Sequence, residues 1–199
     1  MDVESLVQAV VQRLFVELEA SGRHVQVTKS QAQTLFGHGL TPQRPLSQPG
    51  QYLANERVTV VGPKGEFRDV AVLGPERNET QVEVSLTDAR VLGINAPVRL
   101  SGDIQGSPGA VLVGSHGKIT LDSGVIAAKR HIHLTPEAAA AFGVKDRQTV
   151  KLRTLTSRPV IFEDVTVRVS DSFAPYAHLD YDEANACGFH KGDLGRILP

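Results

Sequence analysis

The feature that most constrains the fold is a segment that occurs twice: Arg23-His24-Val25-Gln26-Val27-Thr28 and Arg130-His131-Ile132-His133-Leu134-Thr135. Each copy runs into a helix-like stretch that ends Phe-Gly, at Phe36-Gly37 and Phe142-Gly143. A chain that repeats a strand-to-helix corner builds a similar small unit more than once. The corner recurs again, with a metal-capable side chain closing a β-rich run, a Ser, Thr or Asp two residues later placed to cap a helix, and a glycine to stop it. The spacing is constant from Glu83-Val84-Ser85 to Gly93, His133-Leu134-Thr135 to Gly143 and His178-Leu179-Asp180 to Gly188, while the N-terminal copy, Gln26 to Gly37, is one residue longer. Equivalent positions therefore hold Glu83, His133, His178 and, approximately, Gln26. In an extended strand His131 and His133, at i and i+2, share one face at about 6–7 Å, close enough to share a metal ion or an anion. Duplicated histidine strands point to a site built from two similar halves.

The rest of the chain reads as mainly β. Short runs rich in Val, Ile, Leu and Thr alternate with Gly, Pro, Asn and Asp: Val58–Val61, Val70–Leu73, Gln81–Ser85, Val98–Leu100, Ala110–Val113, Lys118–Leu121, Gly124–Ala128, Thr149–Leu152, Val160–Phe162, Val165–Val169 and Leu194–Leu198. Such closely spaced strands predict two similar β-barrels capped by short α-helices. Before them, Val3, Leu6, Val7, Val10, Leu14 and Leu18 recur at helical steps behind a capping Asp2, which predicts an amphipathic N-terminal helix. Between Thr41 and Gly50, Pro42, Pro45 and Pro49 predict an irregular loop. The expected organisation is a helix over 1–18, a first barrel region over 19–130 and a second over 131–199, with strands, the N-terminal one included, free to exchange between barrels.

Composition excludes several roles. With 21 basic against 22 acidic residues the formal net charge is −1, so nothing draws nucleic acid or an anionic membrane globally, and an anionic ligand needs a local cluster. The single cysteine, Cys187, rules out an internal disulfide, fits a reducing compartment and reads as a small buried residue. No apolar run reaches membrane-spanning length and no secretory leader is recognisable, which predicts a cytoplasmic protein. The 1–18 helix has three uses open to it: packing on its own domain, which is the default, pairing with another subunit, or serving as a detachable tag.

Arg77 sits in Gly74-Pro75-Glu76-Arg77, shortly before the strand that carries Glu83. A guanidinium in such a turn can be aimed at the same site, where it would hold phosphate bidentately. Gly62-Pro63-Lys64-Gly65 and Gly114-Ser115-His116-Gly117 match no phosphate-loop pattern and read as hairpins, and His38 and His116 read as solvent-facing.

Taken together, Arg-His-Ile-His, the run from Gly74 to Ser85, Leu46 to Gln51, Ser101 to Gly109 and His178 to Ala186 resemble the PduL-type phosphate propanoyltransferases, the phosphotransacylases of bacterial microcompartments. The resemblance covers the chain from about Ser21 onward. It implies two helix-capped barrels with a two-zinc site between them: His131, His133 and His178 on one zinc, His24 and Glu83 on the other, Arg77 on phosphate, and Asn185 and the Ser21 region near coenzyme A. It further implies the reversible conversion of short-chain acyl-CoA, propanoyl or acetyl, and phosphate to acyl-phosphate and CoA. The family's first motif reads Arg-His-Val-His, and this chain has Gln26 at its second histidine, so one zinc or an asymmetric pair is expected. The other reading is a catalytically degenerate CoA-binding or scaffold protein inside a microcompartment, docked on shell or lumen proteins through residues 1–18. Homo-oligomer formation is compatible with both.

Overall fold

The computed structural model describes Asp2 and residues 14–198. Its elements in chain order are β1 (Val16–Ser21), β2 (His24–Gln26), α1 (Lys29–Phe36), β3 (Pro42–Pro45), β4 (Tyr52–Val61), β5 (Glu66–Gly74), β6 (Gln81–Val84), α2 (Leu86–Leu92), β7 (Val98–Arg99), β8 (Val111–Val113), β9 (Lys118–Thr120), β10 (Val125–Ala128), β11 (His131–Leu134), α3 (Pro136–Phe142), β12 (Thr149–Leu155), β13 (Ile161–Val169), β14 (Tyr176–Asp180), α4 (Tyr181–Cys187) and β15 (Leu194–Leu198). They form two compact units, one from Gly22–Ala128 and the other from Lys129 onward together with the chain up to Ser21.

The second of these units is a closed six-stranded barrel in the order β1-β14-β11-β13-β12-β15, with β15 pairing back onto β1. The other is a nine-stranded open, curled sheet in the order β7-β10-β6-β2-β5-β4-β8-β9, with β3 attached to β4. Their pairing repeats. β11 runs antiparallel to β14 and parallel to β13, as β2 runs antiparallel to β6 and parallel to β5. Likewise β1 runs parallel to β14 as β10 does to β6. Each unit has its own core, around Val25, Val72, Val82 and Leu112 in the open sheet and Ile132, Leu134, Leu152 and Leu179 in the barrel.

Local chemistry explains the corners. Thr28, Ser85, Thr135 and Asp180 each accept a backbone N–H at a helix start, and Gly37, Gly93, Gly143 and Gly188 end the helices in the left-handed region at φ of 79°, 73°, 67° and 63°. A side chain there would meet its own carbonyl, so glycine stops each helix at low cost.

Three expectations change. The helix expected over 1–18 falls largely outside the described residues, at 3–13, but its last positions belong to β1: Val16 and Leu18 alternate into the barrel core at 1% and 2% exposure. A period of two is satisfied there because β1 finds a partner on each side. The Thr41–Gly50 segment is not wholly irregular, since Pro42–Pro45 forms β3. Proline, lacking an N–H, is tolerated on a strand that pairs on one side only, and among the described residues β3 pairs only with β4. Finally, the runs Val160–Phe162 and Val165–Val169 are not two strands: from Ile161 on they belong to one strand, β13, interrupted by a bulge at Asp164, whose φ is 54°. An equivalent bulge stands at Asp69 in β5, with φ 56°.

Candidate functional site

Alternation along the barrel strands sets the site. Ile132, Leu134, Ala177 and Leu179 point into the barrel core, so His131, His133 and His178 project from its outer face. His131 stands opposite His178 across the antiparallel pair β11–β14. The ligand atoms of all three lie within 4.8 Å of one another, with ring centroids 4.7–4.9 Å apart.

Hydrogen bonds orient two of the rings. His131 Nδ1 lies 2.9 Å from the Lys129 carbonyl oxygen, to which only a protonated nitrogen can donate. His178 Nδ1 lies 3.2 Å from Glu19 Oε2 on β1, the carboxylate–histidine arrangement that commonly backs a metal ligand. His133 differs: both ring nitrogens are buried and, among the described residues, have no hydrogen-bond partner. Burial, with His131 and Arg168 nearby, lowers its pKa to about 3, so the ring is neutral at ordinary pH. Three imidazoles, one carrying two buried nitrogens with no hydrogen-bond partner among the described residues, are a donor set that fits zinc.

The open sheet carries the related cluster. His24 and Glu83 are Cα partners across β2–β6, as His131 and His178 are across β11–β14. His24 Nδ1 lies 2.9 Å from the Gly22 carbonyl oxygen, repeating the His131–Lys129 bond, and its Nε2 is 3.7 Å from Glu83 Oε2. Gln81 donates from Nε2 to Glu83 Oε1 and to Ser101 Oγ, while its Oε1 accepts from the Gly102 N–H, so the carboxylate is held by a buried amide. Gln26 is buried at the position equivalent to His133, and among the described residues its side-chain amide has no hydrogen-bond partner.

Arg77 lies in the β5–β6 loop, exposed, with its N–H bonded to the Val27 carbonyl oxygen just beyond β2 at 2.8 Å. That bond ties the loop to the end of the His24 strand. Ser21 is half-buried opposite Asp180, the N-cap of α4, and Asn185 is exposed on α4 itself, so the two belong to the same end of the barrel unit. Cys187 is fully buried, and burial raises its thiol pKa. His38, which bonds the Gly39 carbonyl oxygen and lies 3.7 Å from Glu56, is exposed, as is His116.

Residues that sequence reasoning missed complete the picture. The arginine preceding each histidine strand has a defined partner: Arg23 donates twice to Asp88, at 3.1 and 2.7 Å, and Arg130 donates to Glu183 at 2.6 Å. Asp88 and Glu183 are the reciprocal carboxylates of the capping boxes of α2 and α4. Each guanidinium also lies over a phenylalanine, 4.1 Å for Arg23 on Phe67 and 5.7 Å for Arg130 on Phe162. A signal was present, because Phe67-Arg68-Asp69-Val70 and Phe162-Glu163-Asp164-Val165 repeat one pattern.

A family model described as phosphate propanoyltransferase matches residues 17–190. The chain belongs to the phosphate propanoyltransferase family. It is 50% identical over 198 residues to the phosphate propanoyltransferase of Clostridioides difficile (strain 630), covering 98% of this chain and 95% of that one. To the Enterococcus faecalis (strain ATCC 700802 / V583) protein of the same name it is 52% identical over 204 residues, covering 98% and 97%. The Thermotoga maritima phosphate propanoyltransferase is 52% identical over 181 residues, covering 89% and 86%. Membership of the phosphate propanoyltransferase family makes the chain an enzyme, an acyltransferase using phosphate. Among the described residues, no helix is long and apolar enough to cross a membrane.

Proposed function

We propose that this enzyme reversibly transfers a short acyl group, propanoyl or acetyl, between coenzyme A and phosphate at a zinc ion held by His131, His133 and His178. The observation that carries the reading is His133, whose two buried ring nitrogens lack partners within a cluster of three imidazoles. Zinc, when bound, supplies a Lewis acid able to polarise a thioester carbonyl or hold phosphate deprotonated. In the forward direction a phosphate oxygen forms a bond to the carbonyl carbon and the carbon–sulfur bond breaks. The sulfur leaves as the CoA thiolate, which takes a proton from solvent, and acyl-phosphate remains.

The chain's own residues have separate tasks in this scheme. His131 and His178 present Nε2, because their Nδ1 atoms are engaged by Lys129 and Glu19. Arg77, exposed and without a side-chain partner among the described residues, offsets phosphate charge. Ser21 and Asn185 contact coenzyme A. His24 and Glu83 serve a second, weaker metal, with Gln26 offering an amide oxygen in place of imidazole nitrogen.

Metal analysis and a CoA-release assay test the reading. Purified protein should contain zinc and release CoA from propanoyl-CoA or acetyl-CoA only with phosphate present, and His133→Ala should lose both tight zinc and turnover. Arg77→Ala should keep the zinc and raise the phosphate concentration needed. Release at equal rate without phosphate would make the protein a thioester hydrolase, and a zinc-loaded protein that releases none would make it a binding protein.

A further inference from the structure

In the histidine cluster, two rings are fixed by hydrogen bonds and one is not. His131 is anchored through Nδ1 on the Lys129 carbonyl and His178 through Nδ1 on Glu19, whereas among the described residues neither nitrogen of His133 has a hydrogen-bond partner. A metal ligand usually needs an outer contact that sets its ring plane before the ion arrives. For His133 the structure offers a ring instead of a hydrogen bond. Phe173 stacks on it with centroids 4.1 Å apart and planes 25° apart.

Phe173 is itself held. It lies in the turn between β13 and β14, where the Phe173 N–H donates to the Ser170 carbonyl oxygen and the Ser170 N–H donates to the Leu134 carbonyl oxygen, both at 3.1 Å. The second bond pins the turn to the end of β11, directly after His133. Arg168, the Cα partner of His133 on the neighbouring parallel strand, has its guanidinium carbon 5.7 Å from the Phe173 ring centroid, within cation–π range. The aromatic ring thus contacts both the imidazole and the cation.

We propose that Phe173 is a positioning residue for the metal centre: it fixes the ring plane of His133 by stacking, in the place where a hydrogen bond would otherwise do so, and leaves a ring nitrogen available to the ion. This rests on the zinc reading of the histidine cluster. Stacking is suited to the task because it restrains the plane without occupying either nitrogen lone pair or proton.

The test compares zinc-loaded wild type with Phe173→Leu, which removes the aromatic face, and Phe173→Tyr, which keeps it. Zinc affinity is measured by competition with a chromogenic chelator, and the centre's geometry by the visible absorption of the cobalt-substituted protein. Phe173→Leu should bind zinc about tenfold or more weakly, the range typical of lost outer-shell support, with an altered cobalt spectrum. Phe173→Tyr should match wild type in both, and the metal-free thermal midpoints of all three should coincide. Phe173→Met gives a second non-aromatic variant should leucine fold poorly. If non-aromatic variants hold zinc as tightly as wild type with an unchanged cobalt spectrum, the positioning role is overturned while the zinc reading stands. Wild type that takes up no zinc overturns the zinc reading instead, and this inference with it.

Discussion

At the scale of single residues, the two halves differ at Gln26 and His133, which occupy equivalent places on β2 and β11. Gln26→His restores a nitrogen donor on the face that carries His24, so metal per chain should rise by elemental analysis, with CoA release level or higher; unchanged occupancy would show that the amide already completes a shell. His133 has a pH consequence in the metal-free protein. Its folded pKa, near 3, lies below the ordinary 6.5, so the unfolded chain binds a proton that the folded chain refuses. Its stabilising contribution is therefore present above pH 6.5 and is lost as pH falls toward 3. Urea midpoints of metal-free wild type should fall between pH 7 and pH 5 more than those of His133→Asn, and equal falls would refute the assignment. The histidines were legible because i, i+2 spacing and the repeat are local patterns. Phe173 was not, because its stacking on His133 depends on a turn anchored to another strand.

Among the elements, the corners do most to hold the histidine strands in register. Ser85 caps α2 and Asp88 closes the box, while Arg23, just before β2, reaches Asp88 and so ties β2 to the first turn of α2. Ser85→Ala should cost about 1 kcal/mol, the usual price of a lost N-cap. Arg23→Met should cost more, about 2–3 kcal/mol, because it strips charge-assisted hydrogen bonds from the buried Asp88 carboxylate. Denaturant midpoints with unchanged slopes check both, and a smaller loss for Arg23→Met would mean that the carboxylate is satisfied without it. The caps and stop glycines could be read directly from the chain. The strand at Pro42–Pro45 could not, since proline's effect depends on whether a second neighbour needs its missing N–H.

For the whole molecule, the deciding feature is where the N-terminal strand goes. β1 lies between β14 and β15 and closes the barrel, burying Val16 and Leu18. Deleting residues 1–18 should therefore destabilise the protein by at least about 3 kcal/mol, from two lost core side chains at about 1.5–3 kcal/mol each. A deletion variant with the wild-type urea midpoint would show that β1 is dispensable to closure. The sequence by itself determined the repeated corner, the helix caps, the mainly β character, the histidine cluster and the family, because capping, left-handed glycine and strand alternation act over a few neighbouring residues. Only the tertiary structure decided that one sheet closes and the other stays open, that Val16–Leu18 is strand, and that Arg130 meets Glu183 and Phe173 meets His133. Those outcomes depend on backbone partners and side-chain contacts brought together from distant parts of the chain, which no local pattern encodes.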